Sequence, residues 1–251
     1  MIKKVFLYLL LFLLSLLIFL VCLLPASVLW EKGLAPQVNT RQLGLDVQKV
    51  VGTVWQGQAL LRYKGLSGVA QWDVELERLT SLSLPIALNV SSEVGDIKAM
   101  IDLSSSSIKA EINYAQVELA PLSPLFKSQR LSLDGELFVK DLMIILENKK
   151  IVDASGMASW SGGDIAYPAG RVVHERTLPM FKAVLKTAES GEIYLGVRDA
   201  QASFDVINAD LKRDGTAMLR ITRRLLDLSR EPWSQNSTEQ DVVFKVKKVL
   251  Y

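Results

Sequence analysis

The hydrophobic positions of this chain follow two different periods, and the change between them organises everything else. Residues 5–24 carry no charge and hold one hydroxyl-bearing serine, Ser15, with Lys3 and Lys4 just ahead. A helix rising about 1.5 Å per residue over twenty residues spans about 30 Å, the thickness of a bilayer's hydrocarbon core. The pattern therefore predicts a transmembrane anchor at residues 5–24. Because the nearby cations precede it, the expected orientation leaves residues 1–4 in the cytoplasm and exports the rest. From about residue 43 the period becomes two. Trp72, Val74 and Leu76 alternate with Asp73, Glu75 and Glu77; Ile97, Ala99, Ile101 and Leu103 alternate with Lys98, Met100, Asp102 and Ser104. Ile108, Ala110, Ile112 and Tyr114 repeat the pattern, as do Phe244 and Val246 among lysines. Such alternation marks strands with one buried and one wet face. Turn signals at Gly65 and Gly68, Gly95, Ser104 to Ser107, Asp134-Gly135, Ser190-Gly191 and Asp214-Gly215 separate them. Short connections of this kind join antiparallel neighbours.

The apolar run admits two other readings. A cleavable signal peptide has an apolar core of roughly 7–15 residues followed by small residues at the cleavage site. This run is longer, and Leu24-Pro25-Ala26 places a leucine where a small residue belongs. Cys22 suggests a lipid-modified cysteine, but Val21 precedes it where a small residue would be needed, so it reads as an ordinary apolar residue. The uncleaved anchor is the expectation.

Helical signals beyond the anchor are sparse. Residues 30–33 continue or cap the first helix, with Gly33 as the expected C-cap. Residues 121–126, bounded by prolines, suggest one short turn. Residues 219–228 fit a helical stripe through Leu219, Thr222, Leu225 and Leu226 but are crowded by arginines, which leaves helix and strand both open. Residues 230–240 read as a loop.

An internal echo runs through the strand region. Gly52-Thr53-Val54-Trp55-Gln56-Gly57 has a counterpart in Gly156-Met157-Ala158-Ser159-Trp160-Ser161-Gly162. Glycines flanking a tryptophan suit a sharp bend between strands, with the ring covering the bend. The expected architecture is all-β: an N-terminal transmembrane helix, then an antiparallel, curved or half-open sheet built of two similar units. The boundaries follow as a tip at 1–4, the anchor at 5–24, a juxtamembrane segment at 25–42, β units at 43–126 and 127–229, and a polar loop with a last strand at 230–251.

Composition narrows function mainly by exclusion. After the anchor, setting aside Lys3 and Lys4, 27 of the 29 basic residues face 27 acidic ones, so the exported part has no net charge. Nucleic-acid binders carry a basic excess, which argues against such a partner. Cys22 is the single cysteine and His174 the single histidine. No disulfide, Cys/His zinc site or triad on any base but His174 can form, and His174 reads as an exposed or structural side chain. No phosphate loop, nucleophile elbow or metalloprotease motif is present. Asp73, Glu75 and Glu77, about 7 Å apart at each step of one strand, are the best carboxylate candidates. A row of acids on an exposed strand is the usual surface, and no enzyme is expected. No catalytic, cofactor-binding or metal-binding residue is assigned, no cofactor is called for, and no small-molecule substrate is evident.

With these residues in view, the chain resembles the type II secretion system protein N family. The likeness rests on the single N-terminal anchor, the Gly52-Thr53-Val54-Trp55-Gln56-Gly57 motif, Ala59, the Trp72-Asp73-Val74 strand and the second glycine–tryptophan element at 156–162. It runs from the anchor to about Leu228. The G-x-x-W-x-G spacing is shared with membrane-anchored β-rich proteins of the AsmA type, and residues 230–251 match neither pattern. The resemblance implies an inner-membrane protein with a periplasmic β domain, an accessory part of the machine that exports folded proteins through an outer-membrane secretin. It transfers no catalytic residues. The implied partners are other secretion subunits, in the inner-membrane platform or the secretin, and membrane lipid.

Within that reading, three sets of residues are expected to matter. Gly52, Trp55, Gly57, Trp72, Gly156, Trp160 and Gly162 should build the bends; a buried Trp55 would cost about 3–5 kcal/mol on truncation to alanine. Leu122, Leu125 and Phe126 would form an apolar knob for a partner. Arg220, Arg223 and Arg224, with Arg230, would meet an acidic partner or lipid headgroups. A second function class, a lipid-handling β groove, is suggested by the apolar excess at Leu79, Leu82, Leu84, Ile86, Leu88 and Val90 and at residues 142–146. A packed core is the simpler account of both stretches.

Overall fold

The structure is a computed structural model that describes residues 2–35, 44–77, 83–148, 150–233 and 236–249. Leu79 and Leu82 lie outside the described residues. Helix α1 (Ile2–Cys22) ends just before Pro25. Proline disfavours the helical conformation of the residue ahead of it, and Leu24 leaves the helix accordingly. Pro25, extended at φ −68° and ψ 134°, starts the short helix α2 (Ala26–Leu29). A π-helical turn (Trp30–Leu34) follows, in which the Ala35 amide donates to the Trp30 carbonyl at 2.7 Å. The C-cap is therefore Ala35, two residues beyond Gly33, because the π turn runs through Leu34. Among the described residues no helix is long and apolar enough to cross a membrane; the described side chains of α1 begin at Phe6.

The rest is all-β and antiparallel, in two compact units. The first comprises the chain up to Val74 together with Ile86–Glu93. Its strands β1 (Leu45–Gly52), β2 (Gln56–Tyr63), β3 (Leu66–Val74) and β4 (Leu84–Ser92) form a meander in that spatial order. Lys64 and Gly65, both at positive φ, make the two-residue turn between β2 and β3 that the right-handed strand twist favours. Gly68 is not a turn residue; it lies inside β3 opposite Leu61 and Ser92. Since β3 ends at Val74, Glu75 and Glu77 fall beyond it, and the three acids do not share a strand face.

The second unit comprises Glu75–Pro85 and Val94–Tyr251. Its strands are β5 (Gly95–Leu103), β6 (Ser107–Glu118), β7 (Ser132–Leu133), β8 (Glu136–Glu147), β9 (Lys150–Trp160), β10 (Gly163–Ala169), β11 (Val172–Leu178), β12 (Phe181–Thr187), β13 (Ile193–Asp199), β14 (Ile207–Leu211), β15 (Thr216–Thr222) and β16 (Val242–Val249). The main sheet of this unit runs β5-β6-β8-β9-β12-β13-β14-β15-β16, and a small sheet runs β11-β10-β7. A 3₁₀ helix (Ala120–Gln129), with Pro121 in its first turn, occupies the expected short turn between β6 and β7. Residues 219–228 prove to be both strand and helix. β15 continues through Thr222, whose backbone amide and hydroxyl both donate to the Val206 carbonyl, and α3 (Arg223–Leu228) starts there. A compact core of Leu178, Phe181 and Val206, joined by Trp160, Ile165, Leu225 and Leu228, lies where α3 and the small sheet cover one end of the main sheet.

Candidate functional site

The bend between β1 and β2 holds the first glycine–tryptophan motif, and it does more than turn the chain. Gly52, at φ +96°, would place a Cβ 2.5 Å from the Gln56 carbonyl oxygen, so only glycine fits. The Thr53 hydroxyl accepts from the amides of Trp55 (3.3 Å) and Gln56 (3.2 Å), closing the turn. The motif then reaches back to the first helix. The Trp55 indole Nε1–H donates to the Val21 carbonyl at 2.9 Å, and the Val54 amide donates to the Leu24 carbonyl at 3.0 Å. Thr53 also pairs with Pro25 across an isolated bridge. The last carbonyls of a helix lack partners within it. The motif supplies donors to the Val21 carbonyl in the last turn of α1 and to the Leu24 carbonyl just beyond it, and fixes the helix to the sheet. Trp55 is half-buried, with its ring on that junction rather than over the strand bend alone.

Beside the junction lies an apolar hollow of about 330 Å³, lined by Ala26, Leu29 and Trp30 on one side and Leu45, Val47, Val50, Val54, Ala59, Leu61 and Trp72 on the other. Strand register explains the second wall. Val50 faces Ala59, Ala59 faces Ala70, and Gly57 faces Trp72, so one face of β1–β3 is apolar or small. Gly57 has no side chain because the Trp72 ring occupies that place; a Cβ there would lie 2.4 Å from its Cζ2.

The second glycine–tryptophan element ends β9. Trp160 Nε1–H donates to the Asp134 carbonyl at 2.8 Å, and its ring stacks on Phe181 with centroids 5.9 Å apart. Gly162, at φ +82°, turns the chain into β10, and Gly156 packs its Cα side on Leu142. Both tryptophans of the echo thus donate to a backbone carbonyl of an earlier segment.

The main sheet of the second unit carries an apolar cross-strand row. Ala115, Val139, Ala158, Ala183, Val197, Ile207, Ile221 and Phe244 face one another in sequence from β6 to β16. Ile97 on β5 extends the row at one end. At about 4.8 Å per strand its eight steps run roughly 40 Å. The next row, Leu185, Leu195, Ala209, Leu219 and Val246, is apolar as well. α3 and the small sheet cover one end of this face, yet Leu219, Phe244 and Val246 remain exposed.

The other expected contact residues are tied into the second unit. Leu122, Leu125 and Phe126 sit half-buried in the 3₁₀ helix rather than standing out as a knob. Arg220 on β15 pairs with Asp210 and Asn208, Arg223 on α3 with Asp227 and Ser237, and Arg224 with Asp199, Gln201 and Glu239. Asp199 is almost completely buried. Burial alone would raise its carboxyl, but the Ala202 amide, the Arg224 guanidinium and the Gln201 amide outweigh that and hold it below the usual carboxylate range. Arg230 is exposed.

Sequence reasoning missed two acid-centred networks. Glu231 accepts from Tyr167 (2.5 Å), contacts His174 Nδ1 (2.6 Å) and lies 3.4 Å from an Arg176 nitrogen. The Tyr167 hydroxyl and His174 hold the Glu231 carboxyl below its ordinary range. Asp205 receives the Tyr194 hydroxyl and, at 2.5 Å, Arg198 Nε; burial together with that carboxylate pushes the Tyr194 phenol up to about 12. The partners lie 7 to 64 residues apart in sequence, so nothing in their spacing announced them. Among the described residues no group of three or more His, Cys, Asp or Glu side chains could hold a metal ion. Both networks are closed on themselves, and neither offers a converging carboxylate pair.

No curated protein and no solved structure matches this chain. A family model, that of type II secretion system protein N, matches residues 43–231, which takes in both glycine–tryptophan elements and ends on Glu231. That family consists of secretion components and is not a known enzyme family. Since the match spans well over half of the 251 residues, the chain belongs to the type II secretion system protein N family and is a component of type II secretion.

Proposed function

We propose that this protein is an accessory, inner-membrane-anchored component of type II secretion whose periplasmic β units serve as a scaffold for other secretion subunits. The observation that carries the reading is the junction at Trp55. Donors from the first glycine–tryptophan motif fasten the first β unit to the end of an apolar helix, so the helix's position becomes that unit's position. The uncharged run at residues 5–24 supports placing that helix in the membrane, with Lys3 and Lys4 on the cytoplasmic side. From Phe6 to Leu24 its large apolar side chains are exposed, which water does not tolerate in a continuous stretch. Scaffolding suits a unit whose titratable clusters are internally paired and whose edge strands offer backbone groups to a partner. Photo-crosslinking from β1 and β16 positions, in cells running the pathway, tests the reading. Adducts with platform or secretin subunits are expected; adducts with none of them would overturn it.

A second reading, a lipid-handling β groove, is favoured by the roughly 40 Å apolar row of the second unit. A closed core would need a second layer over that row, whereas α3 and the small sheet cover one end of it. Native mass spectrometry of the purified protein decides it: retained phospholipid supports the groove, and protein free of lipid at every detergent concentration rejects it.

A further inference from the structure

We propose that the hollow beside the α1 junction binds one acyl chain of a membrane phospholipid. The inference rests on the anchor reading and deepens the lipid-handling one, at a site separate from the second unit's apolar row. Three observations of the first unit converge on it. The first is chemistry: the lining contains no charged side chain and no side-chain acceptor. Its volume is about 330 Å³, and its walls offer water almost no hydrogen-bond partner, which favours an apolar guest. That volume also lies at the lower end of the range for ligand sites, about 300–1,000 Å³.

The second observation is position. Hydrogen bonds from Trp55 and Val54 fix the hollow against the last carbonyls of α1. With α1 in the bilayer, the hollow sits at the level where acyl chains meet headgroups. Trp30 and Trp72 line it there, and tryptophan is the side chain suited to such an interface, apolar in body and with one donor at its rim.

The third is continuity. The exposed apolar surface of α1 runs on through Val28 and Leu29, still 41% and 43% exposed, and Leu29 is itself part of the hollow's wall. Exposed apolar surface therefore runs from α1 to the wall of the hollow. A polar metabolite or a charged peptide would meet no partner inside. An acyl chain tilting out of the adjacent leaflet would exchange one apolar surrounding for another while its headgroup stayed in water.

The test uses the full-length protein reconstituted in vesicles of phosphatidylethanolamine and phosphatidylglycerol. A small share of the phosphatidylethanolamine carries a diazirine near the end of one acyl chain, and adducts are mapped by peptide mass spectrometry after irradiation. Adducts are expected on α1, and also on residues 26–30 and on β1–β2. Leu61→Trp, on a half-buried site, and Ala59→Leu should each abolish the β1–β2 adducts while leaving those on α1 intact, with circular dichroism unchanged. Adducts on α1 alone would overturn the proposal and leave the anchor standing, as would a hollow filled by a segment of this chain. The absence of adducts on α1 would overturn the anchor reading and the pocket with it. Sheet adducts that survive both substitutions would mark a surface contact and reject the cavity.

Discussion

Trp55 shows how a single residue changes meaning once its partner is known. Read as a buried ring, it would cost about 3–5 kcal/mol on truncation to alanine. Half-buried and donating to Val21, it contributes through a hydrogen bond as well as through packing. Trp55→Phe keeps a ring and removes the donor, and should lower stability by about 0.5–1.5 kcal/mol, the net worth of one such bond. Denaturant titration of the micelle-held protein would measure it, and no change would mean that water replaces the indole without loss. Arg224 is the second residue whose role the tertiary partner defines. Removing its guanidinium leaves the Asp199 carboxylate buried on two backbone amides, and Arg224→Met should cost about 3 kcal/mol. The pH dependence has a definite sign. Asp199 is lowered in the folded state, so its stabilisation is complete above the unfolded value, near about 4, and is lost as pH falls through the folded one. In Arg224→Met the folded value rises, so the loss on acidification should begin at a higher pH than in the parent, as acid unfolding followed by fluorescence would show.

At the scale of elements, register decides which residues act together. Val242, Phe244, Val246 and Val249 of β16 are all exposed, and the strand pairs with β15 on one side. It lies beyond the 43–231 family match and buries little, yet it covers the edge of β15. Ending the chain at Gln240 should leave the strand content of the rest largely intact while exposing an unpaired edge, which invites intermolecular pairing. Size-exclusion chromatography in detergent should then show self-association with little change in circular dichroism. A monomer of unchanged shape would mean that β15 needs no cover. The α3 helix makes the complementary point. Its side chains alone left residues 219–228 undecided, because helix and strand stripes both fit. The Val206 carbonyl, sixteen residues earlier, holds Thr222 extended and starts the helix after it.

For the whole molecule, the role proposed for the apolar helix is placement. It is mostly Leu, Phe, Val and Ile and lacks the small-xxx-small motif through which membrane helices pair closely. Exchanging residues 5–20 for an unrelated leucine-rich span, with residues 21–24 kept for the Trp55 and Val54 bonds, should therefore preserve secretion. Release of an exported cargo by a deletion strain carrying the chimera would measure it; failure would assign the helix a specific partner. The sequence by itself determined the all-β class, the antiparallel connections and the secretion family. Two-residue alternation and positive-φ glycines such as Gly52 and Gly65 are local physics, legible without a fold. Only the tertiary structure decided which long-range partners those residues meet: Trp55 with Val21, Arg224 with Asp199, Glu231 with Tyr167 and His174, and one apolar row across the strands of the second unit. Periodicity states which face a residue occupies, whereas strand register and the packing of α1 and α3 determine what stands opposite it.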